Sequence, residues 1–130
     1  MTTRMLVMVS GAIEAATAVA LIALPDVVAR LLLGAELSGS GIAVARVAGF
    51  GLLALAIAVW PGGNRPSAHA TRALFLYNLL AGLYLGFLRV GGEFTGFLLW
   101  PAAIVHVVLA LLLARPAYDK ASSANRAHPQ

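Results

Sequence analysis

Residues 94–114 read FTGFLLWPAAIVHVVLALLLA and contain no Asp, Glu, Lys or Arg. A helix of that length rises ~30 Å, enough to cross the hydrocarbon core of a bilayer. Three other stretches have the same character. Residues 73–88 (ALFLYNLLAGLYLGFL) are uncharged between Arg72 and Arg89. Residues 5–24 (MLVMVSGAIEAATAVALIAL) carry only Glu14, and residues 42–60 (IAVARVAGFGLLALAIAVW) carry only Arg46. Four spans are expected, at about 5–24, 42–60, 72–90 and 94–114. None alternates in polarity as a lipid-facing barrel strand does, and helices are the open-chain way to satisfy backbone hydrogen bonds in lipid.

The whole composition agrees. Of the 130 residues, 61% are hydrophobic and 11% charged, against ~25% charged in soluble domains. Mean hydropathy is +0.90. There is no Cys, which removes disulfide frameworks, thiolate metal sites and cysteine nucleophiles. Arg4 and the first apolar run resemble a signal peptide, but Glu14 in mid-run does not fit an uncharged signal core, so a retained helix is expected.

The connections carry their own information. Pro25-Asp26 stops the first span. In the following PDVVARLLL (25–33), Val27, Val28, Leu31 and Leu32 fall on one side, and Asp26 and Arg30 are spaced to pair on the other. Gly34 is placed to cap the segment. A short amphipathic helix lying in the membrane interface is expected there. SGSG (38–41), PGGNRPS (61–67) and Gly91-Gly92 read as turns. Pro101 falls inside the predicted fourth span and should kink it. The residues from Pro116 read as a loose polar tail. The expectation is an all-α, four-transmembrane-helix bundle with a short interfacial amphipathic helix between the first two spans. It forms one domain over residues 1–115 and leaves 116–130 as the tail.

Lys and Arg in short loops set topology. Arg4, then Arg65 and Arg72, then Arg115, Lys120 and Arg126 fall at one end of a four-span bundle. Arg30 and Arg89 fall at the other. Both termini are therefore expected in the cytoplasm, in a bacterial inner membrane, with Trp60 and Trp100 at opposite interfaces. The sequence pI of about 10.4 suits contact with anionic lipid heads. No interleaved basic and aromatic patch points to nucleic acid.

Each span holds one strongly polar residue away from its ends: Glu14, Arg46, Asn78 and His106. Ionisable groups in mid-membrane cost ~2.5–3.5 kcal/mol or more and usually face protein or water. Small residues flank all four: Ser10, Gly11, Thr17 and Ala18 around Glu14; Ala45 and Gly49 around Arg46; Gly82 and Gly86 after Asn78; Ala102 and Ala110 around His106. Such residues allow close helix approach, so all four polar groups are expected to point into one interior. Depth makes Glu14 and His106 the best pair, with Asn78 nearby, while Arg46 can snorkel outward. Gly82 and Gly86 form a G-x-x-x-G pair for helix packing. Two readings stand side by side: a ligand- or proton-binding site, or polar cross-links that hold the helices in register.

Tyr77 and Tyr84 are assigned to packing or the interface. His69 and His128 have no second ligand at metal-binding spacing. No phosphate loop, G-x-S-x-G or H-E-x-x-H occurs. The sequence therefore supplies no catalytic residue, no metal site and no cofactor.

LPDVVARLLLG (24–34), AVARVAGFGLLALAIAVW (43–60), LYNLLAGLYLGF (76–87) and LLWPAAIVHVVLALLL (98–113) together resemble small four-helix bacterial membrane proteins of the DoxX-like kind. That resemblance implies the fold and brings no assigned activity. Glu14 in mid-span is also similar to the glutamate of small multidrug-resistance transporters. However, the inserted segment 25–41 and the position of Trp60 at a helix end depart from that pattern. The expected role is a binding or accessory membrane protein, taking a lipophilic small molecule or a partner subunit at a polar mid-membrane site. Self-association or membership of a membrane complex is expected, and the alternative is a small proton-coupled transporter using Glu14.

Overall fold

The computed structural model describes residues 2–62 and 66–124, with side chains as far as Tyr118. Arg65, Arg126 and His128, and the side chain of Lys120, lie outside that description. The described chain is all-helical: α1 (Thr3–Ala23), α2 (Pro25–Leu33), α3 (Gly39–Val59), α4 (Ala68–Val90) and α5 (Leu99–Ala124). α1, α3, α4 and residues Leu99–Tyr118 of α5 are each long and apolar enough to cross a membrane. This is a multi-pass membrane protein.

The helix starts follow local chemistry. Thr2 Oγ1 accepts from Met5 N, Ser38 Oγ from Gly41 N and Ser67 Oγ from Ala70 N, each satisfying an orphan amide of the first turn. Ser67 starts α4 at Ala68, so the span that reads shortest in sequence is 23 residues long. Pro25 opens α2, where its missing N–H costs nothing. Gly34 ends α2 at φ 73°, and its N–H donates to Ala29 O and Arg30 O.

Three expectations are corrected. Pro101 does not kink a span: the last helix starts at Leu99 and not at residue 94, so Pro101 sits in its first turn, where no intrahelical donor is lost. The chain does not leave the helix at Pro116: α5 continues to Ala124. Tertiary contacts hold that extension. Ala117 is fully buried, Tyr118 meets the Phe75 ring edge-on at 5.5 Å, and Arg72 Nε donates to Ala117 O at 3.0 Å. Finally, Arg30 pairs with Glu36 at 2.8 Å and not with Asp26. Both partners are exposed, so the pair contributes little.

The bundle is built from two intimate pairs, α1 with α3 and α4 with α5, which meet each other more sparsely. A glycine sits inside each pair. A Cβ on Gly49 would stand 2.8 Å from Ile22 Cγ1 and 3.0 Å from Ala18 O on α1. A Cβ on Gly82 would stand 2.8 Å from Val107 Cγ2 on α5. Glycine is what permits these backbone approaches. Between the pairs the interior is layered. At the end where α1 begins, Leu6, Val7, Val59, Leu74 and Leu113 form an apolar core. A polar layer follows, and beyond it the helices diverge around a cavity.

α2 roofs that cavity. After Gly92 (φ 77°) the chain runs back along α2, where Thr95 N donates to Leu33 O (3.2 Å) and Leu98 N to Leu31 O (2.8 Å). These amides take carbonyls that the end of a short helix leaves without partners. Gly96 crosses so tightly that a Cβ there would overlap the backbone of Leu32.

Candidate functional site

The polar layer joins α1, α4 and α5. Ser10, Glu14 and Asn78 are completely buried, and the His106 side chain is 12% exposed. Asn78 is the hub. Its Nδ2 donates to Leu74 O within α4 and to Ser10 Oγ on α1, both at 2.9 Å. A backbone carbonyl can only accept, so the amide nitrogen must face Leu74 and Oδ1 must face His106. Oδ1 lies 2.9 Å from His106 Nδ1. Because Oδ1 accepts, Nδ1 carries the hydrogen, and in the neutral ring Nε2 is left with a lone pair.

Glu14 approaches the same nitrogen, with Oε1 3.8 Å from Nδ1. That is ion-pair distance for an imidazolium and too long for a hydrogen bond. Neither Glu14 oxygen has a hydrogen-bond partner among the described residues. The Tyr77 hydroxyl stands beside the carboxyl without closing a bond of ordinary geometry. The Tyr77 ring also meets the His106 ring edge-on at 5.8 Å. Tyr77 thus belongs to the site rather than to packing alone.

On the other side of Tyr77 and His106 lies the cavity, about 480 Å³ in volume. Its walls come from α1 (Ala20, Leu21), α4 (Ala81, Leu85) and α5 (Ala102), and its roof from Val27, Val28, Leu31 and Leu32 of α2. The polar side chains along it are Thr17, Tyr77, Tyr84 and His106, and Thr17 Oγ1 is already bonded to Ile13 O. Tyr84 and Leu24 line the cavity yet are exposed, as are Val27 and Leu31 at the edge of the roof, so the lateral mouth opens between them. Volume, apolar walls and few convergent polar groups are the ordinary features of a small-molecule site.

Three of the four polar residues singled out in the sequence are therefore brought together: Glu14, Asn78 and His106. Arg46 is not. It is exposed on α3, outside the cluster, and the expectation that it points inward is corrected. Its position near the start of α3 lets the guanidinium reach toward the membrane surface, where it needs no buried partner. The two glycines of the G-x-x-x-G pair also separate, since a Cβ on Gly86 would meet nothing within 4 Å. Ser10 and Tyr77 join the site beyond the four polar residues singled out in the sequence. Ser10 shares the Glu14 face at i−4, a usable signal, whereas nothing local distinguishes Tyr77 from Tyr84. The roofing role of α2 had no local signal beyond its apolar face.

The chain matches no protein-family model, and no curated protein or solved structure proves similar to it.

Proposed function

We propose that this protein binds a lipophilic small molecule within the membrane, in the cavity between α1, α4, α5 and α2. One observation carries the reading: an apolar cavity of about 480 Å³ ends on Tyr77 and on His106, whose ring is held by the buried Asn78. Polar cross-links alone would not call for a cavity beside them, since transmembrane helices gain stability from close packing. The lateral mouth suits a ligand that arrives from the lipid. The protein acts as a binding or accessory component, alone, as a homo-oligomer or within a membrane complex, and no catalytic step is assigned to it.

The test is to purify the protein in native-lipid nanodiscs and identify apolar molecules retained with it. Ala102→Trp, which fills the cavity, should abolish their enrichment while the protein stays folded. Equal enrichment in both would exclude the cavity as the site.

A second reading rests on Glu14, a buried carboxyl with no hydrogen-bond partner among the described residues. It makes the protein a small proton-coupled transporter. Ligand accumulation in vesicles driven by a proton gradient and lost in Glu14→Gln would select it; binding without accumulation would select the first.

The Lys/Arg distribution supports a bacterial inner-membrane location with both termini in the cytoplasm. Reporters fused at residue 37 and at the C-terminus should report opposite sides. A kinship with DoxX-like proteins is part of the same proposal and rests on the resemblance of the quoted segments.

A further inference from the structure

We infer that the ligand is a neutral amphiphile with one terminal hydroxyl, whose O–H donates to Nε2 of His106. This rests on the cavity being the binding site and adds the chemistry of the occupant.

The direction of the hydrogen bond follows from a chain of fixed partners. Leu74 O and Ser10 Oγ hold the Asn78 amide nitrogen, so Oδ1 accepts from His106 Nδ1. Nδ1 is thereby occupied as a donor, and its hydrogen cannot move to Nε2 without leaving Oδ1 facing a bare lone pair. Nε2 lies on the far side of the ring from Asn78. It has no partner among the described residues, and it is not one of the buried polar atoms sealed from contact. His106 lines the cavity, so the bare Nε2 is the ring acceptor available to a ligand there, beside the Tyr77 and Tyr84 hydroxyls.

The rest of the cavity sets the remainder of the molecule. No Asp, Glu, Lys or Arg lines it, so a charged head would lose its hydration without compensation. From the depth of Glu14 to Leu24, where α1 gives way to α2, is ten residues, ~15 Å. An apolar body of that length, a ring with an alkyl chain for example, spans from Nε2 to α2. At Nε2, a head that only accepts hydrogen bonds, such as an ether or ketone, would set a lone pair against a lone pair, and it could be held only by a Tyr77 or Tyr84 hydroxyl.

The experiment uses three probes of matched shape: para-nonylphenol, its methyl ether, and para-nonylacetophenone. Saturable binding of each is measured on the full-length protein in nanodiscs, above that of protein-free nanodiscs. The phenol should bind about tenfold or more tightly than the ether, the ratio expected when one hydrogen bond to a buried acceptor is lost. The ketone should behave like the ether. His106→Phe keeps a flat ring and should weaken the phenol alone, bringing all three together. Equal affinities of wild-type protein for phenol and ether would overturn the hydroxyl assignment and leave the lipophilic-binding reading intact. Preference for the ketone would overturn it by showing that a donor, Nε2–H or a tyrosine hydroxyl, meets the head. No saturable binding of any probe would overturn both. The wild-type comparison decides the matter even if His106→Phe does not fold.

Discussion

Asn78 Oδ1 sits 2.9 Å from Nδ1 of His106, and the same amide's nitrogen is held by Leu74 O and Ser10 Oγ. One side chain therefore links α4 to both α1 and α5 and sets the tautomer of a membrane-buried histidine. Nitrogen-15 spectra of histidine-labelled protein should show His106 with Nδ1 protonated and Nε2 bare. In Asn78→Leu this signal should shift toward the other tautomer or a mixture. Stability should fall by ~1 kcal/mol or somewhat more, the scale of a hydrogen bond between transmembrane helices. A His106 spectrum that Asn78→Leu leaves untouched would disprove the assignment.

Glu14 and His106 face one another at 3.8 Å inside the bundle, with Asn78 bonded to the imidazole and Tyr77 beside both. Glu14→Gln keeps hydrogen-bonding capacity and should be milder than Glu14→Leu. The double variant Glu14→Leu, His106→Leu should regain part of the stability lost in the singles, because neither partner is left behind. Unfolding in nanodiscs, read across the cycle, measures this. If the pair serves binding, the double variant should be folded yet unable to retain ligand. Strictly additive losses would show that the two residues do not interact.

Gly82 and Gly86 should respond differently to one methyl group. Gly82→Ala forces a Cβ against Val107 and should cost ~1–3 kcal/mol as overpacking. Gly86→Ala meets open space and should stay within ~0.5 kcal/mol of wild type. Thermal unfolding of both variants is the measurement. A larger effect at Gly86 than at Gly82 would mean that another chain packs on that face.

Gly96 admits no side chain beside Leu32, so Gly96→Ala should part the 93–98 segment from α2. The amides of Thr95 and Leu98 would lose Leu33 O and Leu31 O. Hydrogen exchange should accelerate at both amides, while α1 and α5 keep their protection. Ligand release should also speed up, because α2 is the roof. Unchanged exchange at Thr95 and Leu98 would contradict this.

What the sequence determined by itself is the local part. The four apolar runs, the amphipathic PDVVARLLL segment, the cap at Gly34 and the shared depth of Glu14 and His106 all follow from hydropathy, periodicity and rise per residue. Each depends on a residue and its neighbours within a few turns. Where a decision needed a partner distant in the chain, only the tertiary structure made it. Two glycines at i, i+4 look alike until Val107 stands over one of them. Arg46 and Asn78 are both polar residues among small ones, yet only Asn78 meets Ser10 and His106. Pro116 reads as a helix end, but a buried Ala117, Arg72 and Phe75 hold the helix beyond it. PDVVARLLL reads as an amphipathic helix, but only the amides of Thr95 and Leu98 show that it is pinned over a cavity. Periodicity gives each helix a face; which neighbour covers that face depends on how the helices pair, and hydrophobic pattern alone does not distinguish the pairings.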